Sequence, residues 1–532
     1  MNQNVILHPK GHMLLATKQV ETLKTFLPTM SIFPTPMPNG DWLCAVPFKF
    51  DEWMVLRNLG IEGPSLLSGW KFTGRHPPRS YQHDMVGLVV HNKVSFIFSE
   101  TGVGKSKGAV WAAEWLLQNG KIDAVLILST LSSLEPTWAN EIWNTAPHRT
   151  SVVIHDNNPD MKVKLAQQDV HFYIMNHDGF KLDYINDIFM KSKKRWMVIV
   201  DEATKFKSRK SDRHKALARF FRKHDPIRVA MTATPMPNGP DDAYGLAMLM
   251  YPNGAKMSYM QFKDATQFKI SNFKWVNKKG WEQVAHSLLQ PAVLHRKRDY
   301  LHELPPITYE DYYVPMSPSI RKAYDAVFSD FVYAEGDEDG SRSVTAINAA
   351  AKLVKLLQIC CGSVIDDERE IMELDASKKN AVLDDVLEKA LGKLIVYVPF
   401  KAALSRVAAY VESKGKKVGI IHGGISKGER DRIFKEMQRG DLEVIVGQPH
   451  SMAHSITLTE ASDVVWFGPI TDCEVFLQAN GRIERLGQSN PMTVHCLYSS
   501  NAERKVYDML KNKEMDQTSL LNLYLEEAKE RR

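Results

Sequence analysis

Short apolar runs bounded by polar or glycine-containing turns recur along most of the chain. In the first half they are Val94-Ser95-Phe96-Ile97-Phe98, Ala124 to Leu128, Phe172 to Met175, Trp196 to Val200 and Val229 to Met231. In the second half they are Leu394 to Val398, Val418 to Ile421, Val444 to Val446 and Val464 to Phe467. Runs that are hydrophobic on both faces predict strands of parallel sheets covered by helices, and helically spaced segments lie between them. The alternation predicts an α/β protein with two parallel sheets. Residues 1 to about 75 read differently. Val5-Ile6-Leu7 predicts a strand, Leu14 to Leu27 a helix ending near Pro28, and Ser31 to Asn39, with Pro34, Pro36 and Pro38, a loop. Asp41 to Val46 reads as a strand and Phe50 to Leu59 as a short helix stopped by Gly60. Trp42, Trp53 and Trp70 read as packing groups of this piece.

Composition narrows the class. The 532 residues suggest about three domains. Apolar residues make up 44% and charged residues 24%, values that supply a sizeable core. A net charge of +6 permits a polyanionic partner without requiring one. The five cysteines contain no Cys-x-x-Cys pair, so neither a zinc ribbon nor a disulfide framework is suggested, and a reducing compartment fits. Met1 to Lys10 is polar and interrupted by Pro9, unlike a signal peptide, and no run of about 18 apolar residues appears.

The chemistry centres on Ser99-Glu100-Thr101-Gly102-Val103-Gly104-Lys105-Ser106, set between an apolar run and a helical pattern. Glycines at 102 and 104 let backbone N–H groups of Thr101 to Gly104 turn toward phosphate oxygens, and the following helix N-terminus favours an anion. Lys105 can reach the β- and γ-phosphates, and the Ser106 hydroxyl can ligate Mg²⁺. Trp196 to Val200 runs into Asp201-Glu202-Ala203-Thr204. Adjacent carboxylates at a strand's end are costly unless a cation or substrate uses them. Asp201 can hold Mg²⁺, and Glu202 can orient and deprotonate a water. A basic run follows, Lys205 to Arg213, which is either a solvated face or a nucleic-acid rim.

Pro77-Pro78-Arg79-Ser80-Tyr81-Gln82 comes just before a helix at His83 to His91; an exposed Gln82 amide there could read an adenine edge. Ser129 and Thr130, closing a strand, suit phosphate contacts or a plain helix cap. Thr232 and Thr234 close another strand. Gln478 to Arg485 carries Arg482 and Arg485 three apart, on one face if helical, where they would form surface salt bridges with the adjacent Glu484 or stabilise charge on a transferring phosphate. Glu335 to Gly340 reads as an acidic loop, Val344 to Cys361 as a helix, and Asp516 to Arg532 as a charged helix packing on the body.

Taken in order, these stretches resemble the superfamily-two helicases, and among them the Swi/Snf-type DNA translocases, from about Pro78 to Leu510. Arg79 to Gln82 resembles the Q motif, Ser99 to Ser106 motif I, Leu126 to Glu141 motif Ia, Asp201 to Thr204 motif II, and Thr232 to Pro235 with Asn238 motif III. Leu294 to Pro306 is similar to the family's arginine-rich, Leu-Pro-ending exit from its first lobe, and Leu357 to Cys361 to its inter-lobe helix. Ile421-His422-Gly423-Gly424 resembles the second-lobe nucleic-acid loop, Gln448 to Ala461 with His454 motif V, and Gln478 to Gln488 motif VI. Motif I departs from the common Asp-Glu-Met-Gly-Leu-Gly-Lys-Thr, although Ser106 keeps the metal-ligating hydroxyl. Thr204 stands where His is commoner, and Ala453 to Thr457 where Gly and Asn are usual. Phe48 to Ser65 is similar to the N-terminal segment of small phage-encoded members.

The resemblance implies two RecA-like parallel-sheet lobes with a small N-terminal α+β domain: residues 1–75, lobe one at 76–300, a helical connector at 301–375 and lobe two at 376–532. It implies ATP and Mg²⁺ as cofactors, with Lys105, Asp201, Glu202, Arg482 and Arg485 catalytic and Gln82 and Thr101 to Ser106 holding the nucleotide. Ser106 and Asp201 would be metal ligands. DNA contacts are expected at Ser129, Thr130, His177, His422, Gly423 and His454, and coupling at Thr232, Thr234 and Gln478. The implied activity is ATP-dependent translocation on duplex or forked DNA in a cytoplasm, the host's if phage-encoded, with no membrane and a protein partner for the N-terminal domain. A strand-separating or fork-remodelling helicase is the alternative, and a DNA-binding scaffold with a dead ATP site is a third, opposed by the intact site residues.

Overall fold

The computed structural model describes residues 5–237, 239–270, 275–335, 346–365, 371–390, 392–452 and 457–512. Of the acidic loop expected at Glu335 to Gly340, Glu335 instead ends the helix Pro318–Glu335 and 336–340 lie outside these residues, as do Asn238, His454, the terminal helix at 516–532 and the start of the helix expected from Val344, which is described as Ala346–Cys360.

In chain order the strands are β1 (Ile6–His8), β2 (His12–Thr17), β3 (Ser31–Ile32), β4 (Trp42–Pro47), β5 (Val94–Ile97), β6 (Ala124–Ser129), β7 (Ser151–Val153), β8 (Phe172–Asn176), β9 (Trp196–Val200), β10 (Ile227–Met231), β11 (Gln267–Lys269), β12 (Trp275–Asn277) and β13 (Ala292–Val293). There follow β14 (Ile307–Tyr313), β15 (Ser363–Ile365), β16 (Ile371–Glu373), β17 (Lys393–Tyr397), β18 (Val418–Ile421), β19 (Val444–Gly447), β20 (Ala461–Trp466) and β21 (Met492–Tyr498). The first helices are α1 (Val20–Phe26), α2 (Phe50–Asn58), α3 (Ser80–His91) and α4 (Lys105–Gln118).

The N-terminal piece is a four-stranded antiparallel sheet, β1-β2-β4-β3, with α1 and α2. Here one expectation fails. His12–Thr17 is a strand, and only Val20–Phe26 of the segment Leu14 to Leu27 is helical. Met13, Leu15 and Thr17 alternate inward, and pairing with β4 rewards that period of two. The Thr17 hydroxyl accepts from the Gln19 N–H at 3.0 Å, a local turn that separates strand from helix. Ser31 and Ile32, expected in a loop, pair with β4.

The first lobe is a seven-stranded all-parallel sheet ordered β13-β5-β10-β9-β6-β8-β7. Its core strands are buried throughout, as unbroken apolar runs require. The order places the strands leading into motifs I, III and II side by side, so their C-terminal ends share one edge. Open α/β sheets bind ligands at that edge. The helices α3 and α4 pack closely at Gly108, where an added Cβ would lie 2.2 Å from Met85 Sδ.

The second lobe is a six-stranded parallel sheet ordered β14-β21-β20-β17-β19-β18. Residues 301–375 supply helices Pro318–Glu335 and Ala346–Cys360, and also β14, an edge strand of this sheet. β14 escapes a reading for apolar runs because it is largely exposed. β21 escapes it because His495 interrupts the run; that ring is buried between Tyr312 and Asp463. Compact contacts divide the chain into residues 1–236 with 240–296, and 237–239 with 297–532. The architecture is thus two RecA-like lobes preceded by a small α+β domain, the fold class implied above.

Candidate ATP site and its surroundings

The phosphate loop begins where β5 ends. Gly102 and Gly104 have φ of +88° and +87°, values an L side chain rarely adopts. Gly104 directly precedes α4. A Cβ there would come within 2.5 Å of Gln82 Nε2, so the position is closed to side chains by both conformation and space. Lys105 Nζ donates to the Ser99 and Glu100 carbonyls at 2.8 and 3.1 Å, which holds the ammonium over the loop. A phosphate would compete for it with those two carbonyls. Ser106 follows on the first turn of α4.

The loop is braced from below. The Val103 carbonyl accepts from Tyr81 Oη at 3.0 Å and from Gln82 Nε2 at 3.1 Å. Gln82 Oε1 accepts from the Arg79 N–H at 2.9 Å. The helix starts at Ser80 rather than His83, and the Gln82 amide, expected to be exposed, is buried. Both ends of that amide serve the backbone, one of them the phosphate loop itself. Ser99, where other phosphate loops carry glycine, is also built in. Its hydroxyl lies 2.9 Å from His295 Nδ1 and accepts from the His295 N–H at 3.2 Å. Burial pushes the His295 pKa down, which fits a neutral ring accepting the Ser99 proton.

At the end of β9, Asp201 is held from several sides. Its Oδ2 accepts from Ser129 Oγ at 2.7 Å and from Trp138 Nε1 at 3.0 Å, and its Oδ1 from the Glu202 N–H at 3.1 Å. Its carbonyl lies 2.8 Å from His177 Nε2. Glu202 sits at φ 45°, ψ 54°, a left-handed backbone rare for a non-glycine residue. Such strain costs on the order of 1–3 kcal/mol and persists where surrounding structure imposes it. Ser129 and His177, read from sequence as DNA contacts, are both buried here behind motif II, and burial pushes the His177 pKa down. Thr130 is half-buried, 2.9 Å from Ser133 Oγ. Thr232 is buried between the motifs; its N–H donates to the Ile97 carbonyl, and its hydroxyl accepts from the Thr234 N–H at 3.2 Å. Trp138, Tyr81 and His295 are the supporting groups that a reading of residue types missed. Nothing about an isolated Trp or His signals a partner far away in sequence.

In the second lobe, Arg482 and Arg485 do not share a helix. Helix Cys473–Asn480 ends before them, and both lie on the irregular turn that follows. Arg482 is buried, its carbonyl accepting from the Leu458 N–H. Arg485 donates from Nη1 to Thr457 Oγ1 at 2.9 Å and from Nε to the Gly481 carbonyl at 3.1 Å. Burial pulls its pKa down to about 10, so it stays charged at neutral pH. The intervening Glu484 turns instead to Lys297, 2.5 Å away. Gln478 is buried with Nε2 on Glu474 Oε1 at 3.1 Å. His422 and Gly423 lie on the turn after β18; the ring accepts from the Gly424 N–H, and Gln448 Oε1 from the Gly423 N–H at 3.3 Å.

Among the described residues no cluster of three or more His, Cys, Asp or Glu could hold a metal, and no helix is long and apolar enough to cross a membrane. The residues present nonetheless fit ATP with Mg²⁺. The Gly104 cradle admits no side chain, a lysine stands over it, and an oriented carboxylate closes β9, one strand removed along the same sheet edge.

A family model described as SNF2-related domain matches residues 53–364, and one described as Helicase conserved C-terminal domain matches 378–487. Protein p41 of Acyrthosiphon pisum secondary endosymbiont phage 1 is 24% identical over 469 residues, 81% of this chain and 97% of p41. The CHD3-type chromatin-remodeling factor CHR7 of Arabidopsis thaliana is 24% identical over 450 residues, covering 78% of this chain but 34% of CHR7. Among solved structures, the Sulfolobus solfataricus SWI2/SNF2 ATPase core in complex with dsDNA matches at 20% identity and a TM-score of 0.40, covering 85% of this chain and 96% of that one.

Proposed function

The chain belongs to the SNF2-related family, and on that premise we propose that it is a DNA-dependent ATPase that turns ATP hydrolysis into movement along duplex DNA. The observation that carries the reading is Asp201. A carboxylate bound by a serine, an indole and a backbone N–H, at the same sheet edge as a glycine loop with its lysine, is oriented by the chain's own groups. Preorganised charge of this kind is what stabilises phosphoryl transfer.

In this reading Lys105 and the N–H groups of Thr101 to Gly104 hold the phosphates, and Ser106 and Asp201 hold Mg²⁺. The metal, when bound, neutralises developing phosphate charge. Glu202 orients the attacking water and takes its proton. Arg482 and Arg485 supply positive charge to the transferring group, and Gln82 keeps the loop in shape under the nucleotide. Thr232, Thr234 and Gln478 transmit the state of the site, and Thr130, His422, Gly423 and His454 are proposed DNA contacts. Backbone contacts carry no sequence information, so little base specificity and a strong salt dependence follow. The N-terminal domain is proposed to meet a protein partner, and the protein to work in a cytoplasm.

The test is ATP hydrolysis measured without nucleic acid and with single-stranded, duplex and forked DNA at two salt concentrations. Strong stimulation by plain duplex is the expected result. Stimulation by forks or single strands alone would replace the translocase with a fork-remodelling helicase, and no hydrolysis under any condition would leave a scaffold.

A further inference from the structure

Between helices Tyr259–Thr266 and Trp281–Leu288 the first lobe extends the two-stranded antiparallel ribbon β11–β12. Its register pairs Phe268 with Val276 and Lys269 with Trp275, so the two faces of the ribbon differ. One face carries Phe268 and Val276, with Ile270 and Lys278 next along the same period of two. Phe268 is 59% exposed, Ile270 63% and Val276 39%. An apolar face of this kind, left in water, marks an interaction site.

Cations are threaded through these rings. Lys278 Nζ lies 4.7 Å from the Phe268 ring centroid, and Lys263 Nζ lies 4.4 Å from that of Trp275 and 5.6 Å from that of Tyr259. Tyr259 in turn sits 4.6 Å from the guanidinium of Arg209, an exposed member of the basic run that follows motif II. A series of alternating cations and aromatic rings therefore runs from Arg209, in the basic run after motif II, to Trp275 on the ribbon, and Lys278 with Phe268 forms a separate pair on the ribbon's other face. Among the described residues of 256–282, five lysines stand against two acids, Asp264 and Glu282.

We propose that the β11–β12 ribbon, led by Phe268 and Lys278 on one face, with Lys269 on the other face and Lys279 just beyond β12, is a binding platform for single-stranded nucleic acid. It rests on the reading of the chain as a DNA-dependent ATPase. The chemistry selects the occupant. An unpaired strand offers bases to stack on exposed rings and phosphates for interleaved lysines, and each such stack is worth about 1–3 kcal/mol in other proteins. A duplex hides its base faces, so it would gain from the lysines and not from Phe268.

The experiment uses the full chain and two fluorescent probes, an oligothymidylate of about twenty nucleotides and a blunt duplex of the same length. Phe268→Ala should weaken oligothymidylate binding about tenfold. Duplex binding and duplex-stimulated ATP hydrolysis should stay within about twofold of the parent, and Lys279→Glu should weaken the oligothymidylate in the same sense while steepening nothing in its salt dependence. Both side chains are exposed, so an unchanged thermal midpoint is expected. Oligothymidylate affinity that is unaltered in both variants, or a Phe268→Ala loss equal on the two probes, would overturn the platform. A parent protein with no duplex-stimulated hydrolysis but the expected Phe268 effect would overturn the translocase reading and leave the ribbon standing.

Discussion

The two lobes hold their site residues in different ways. In the first, the Asp201 carboxylate is bound by groups from two other segments, the end of β6 and Trp138, besides its own backbone. The phosphate loop is tied to α3 through Val103 and to residue 295 through Ser99. In the second lobe, Arg485 lies on an irregular turn and rests on one hydroxyl and one carbonyl. A group bonded from three sides is held in one orientation; a side chain with two neutral acceptors has alternatives within reach. The first lobe's groups are thus fixed by the chain itself, whereas Arg485 in the second lobe keeps room to reorient.

The largest expected effects test each lobe's proposed part in hydrolysis. Arg485→Ala should lower kcat about 10³-fold while nucleotide affinity changes little; a loss below about tenfold would remove Arg485 from the chemistry and reduce the comparison to one of packing. Glu202→Gln should also lose about 10³ in kcat and keep nucleotide binding, measured with a fluorescent analogue. Hydrolysis at the parental rate would mean that another group takes the proton from water. Next in size come the supporting hydroxyls. Thr457→Val removes one of the two bonds that aim Arg485 and should cost about tenfold in kcat. Ser129→Ala leaves Trp138 on the same Asp201 oxygen and should cost about threefold. If the serine change proves the costlier one, the first lobe's redundancy is not what holds its carboxylate.

Much of this was legible in advance, for a physical reason. Parallel strands buried on both faces have to be written as apolar runs, so β5, β6, β8, β9, β10, β17, β19 and β20 could be read directly. Glycine at 102 and 104, and paired acids at a strand end, carry their chemistry in their residue types. Three kinds of feature could not be read. Edge strands such as β14 have no buried face to announce them. The segment His12 to Phe26 satisfies two periods at once, and only the pairing partner β4 decides between them. Long-range partners, such as Trp138 on Asp201, His295 on Ser99 and Tyr81 on Val103, are set by tertiary approach, and no local pattern encodes that. The arginines illustrate the same limit: a spacing of three suggested a shared helical face, whereas Gly481 begins an irregular turn.

The smallest effect concerns how the first lobe is held as the pH falls. Burial depresses the His295 pKa, opposed by Asp84 and supported by Arg57 nearby. A histidine whose folded pKa lies below its unfolded value stays neutral in the native state while the unfolded chain takes up a proton. Its contribution is therefore complete above the unfolded pKa, about 6.5, and is lost as the pH falls toward the folded pKa. The buried rings of His177 and His214 are shifted in the same direction for the same reason, so the protein should lose stability in mild acid through several groups together. His295→Gln keeps a side chain able to bond Ser99 and removes one titrating ring. Denaturant midpoints at pH 7.5 and 5.5 should then lie closer together than in the parent, by up to about 1 kcal/mol in unfolding free energy. An unaltered gap would show that the ring is protonated in the native state, and that Ser99 is held by something other than a neutral imidazole.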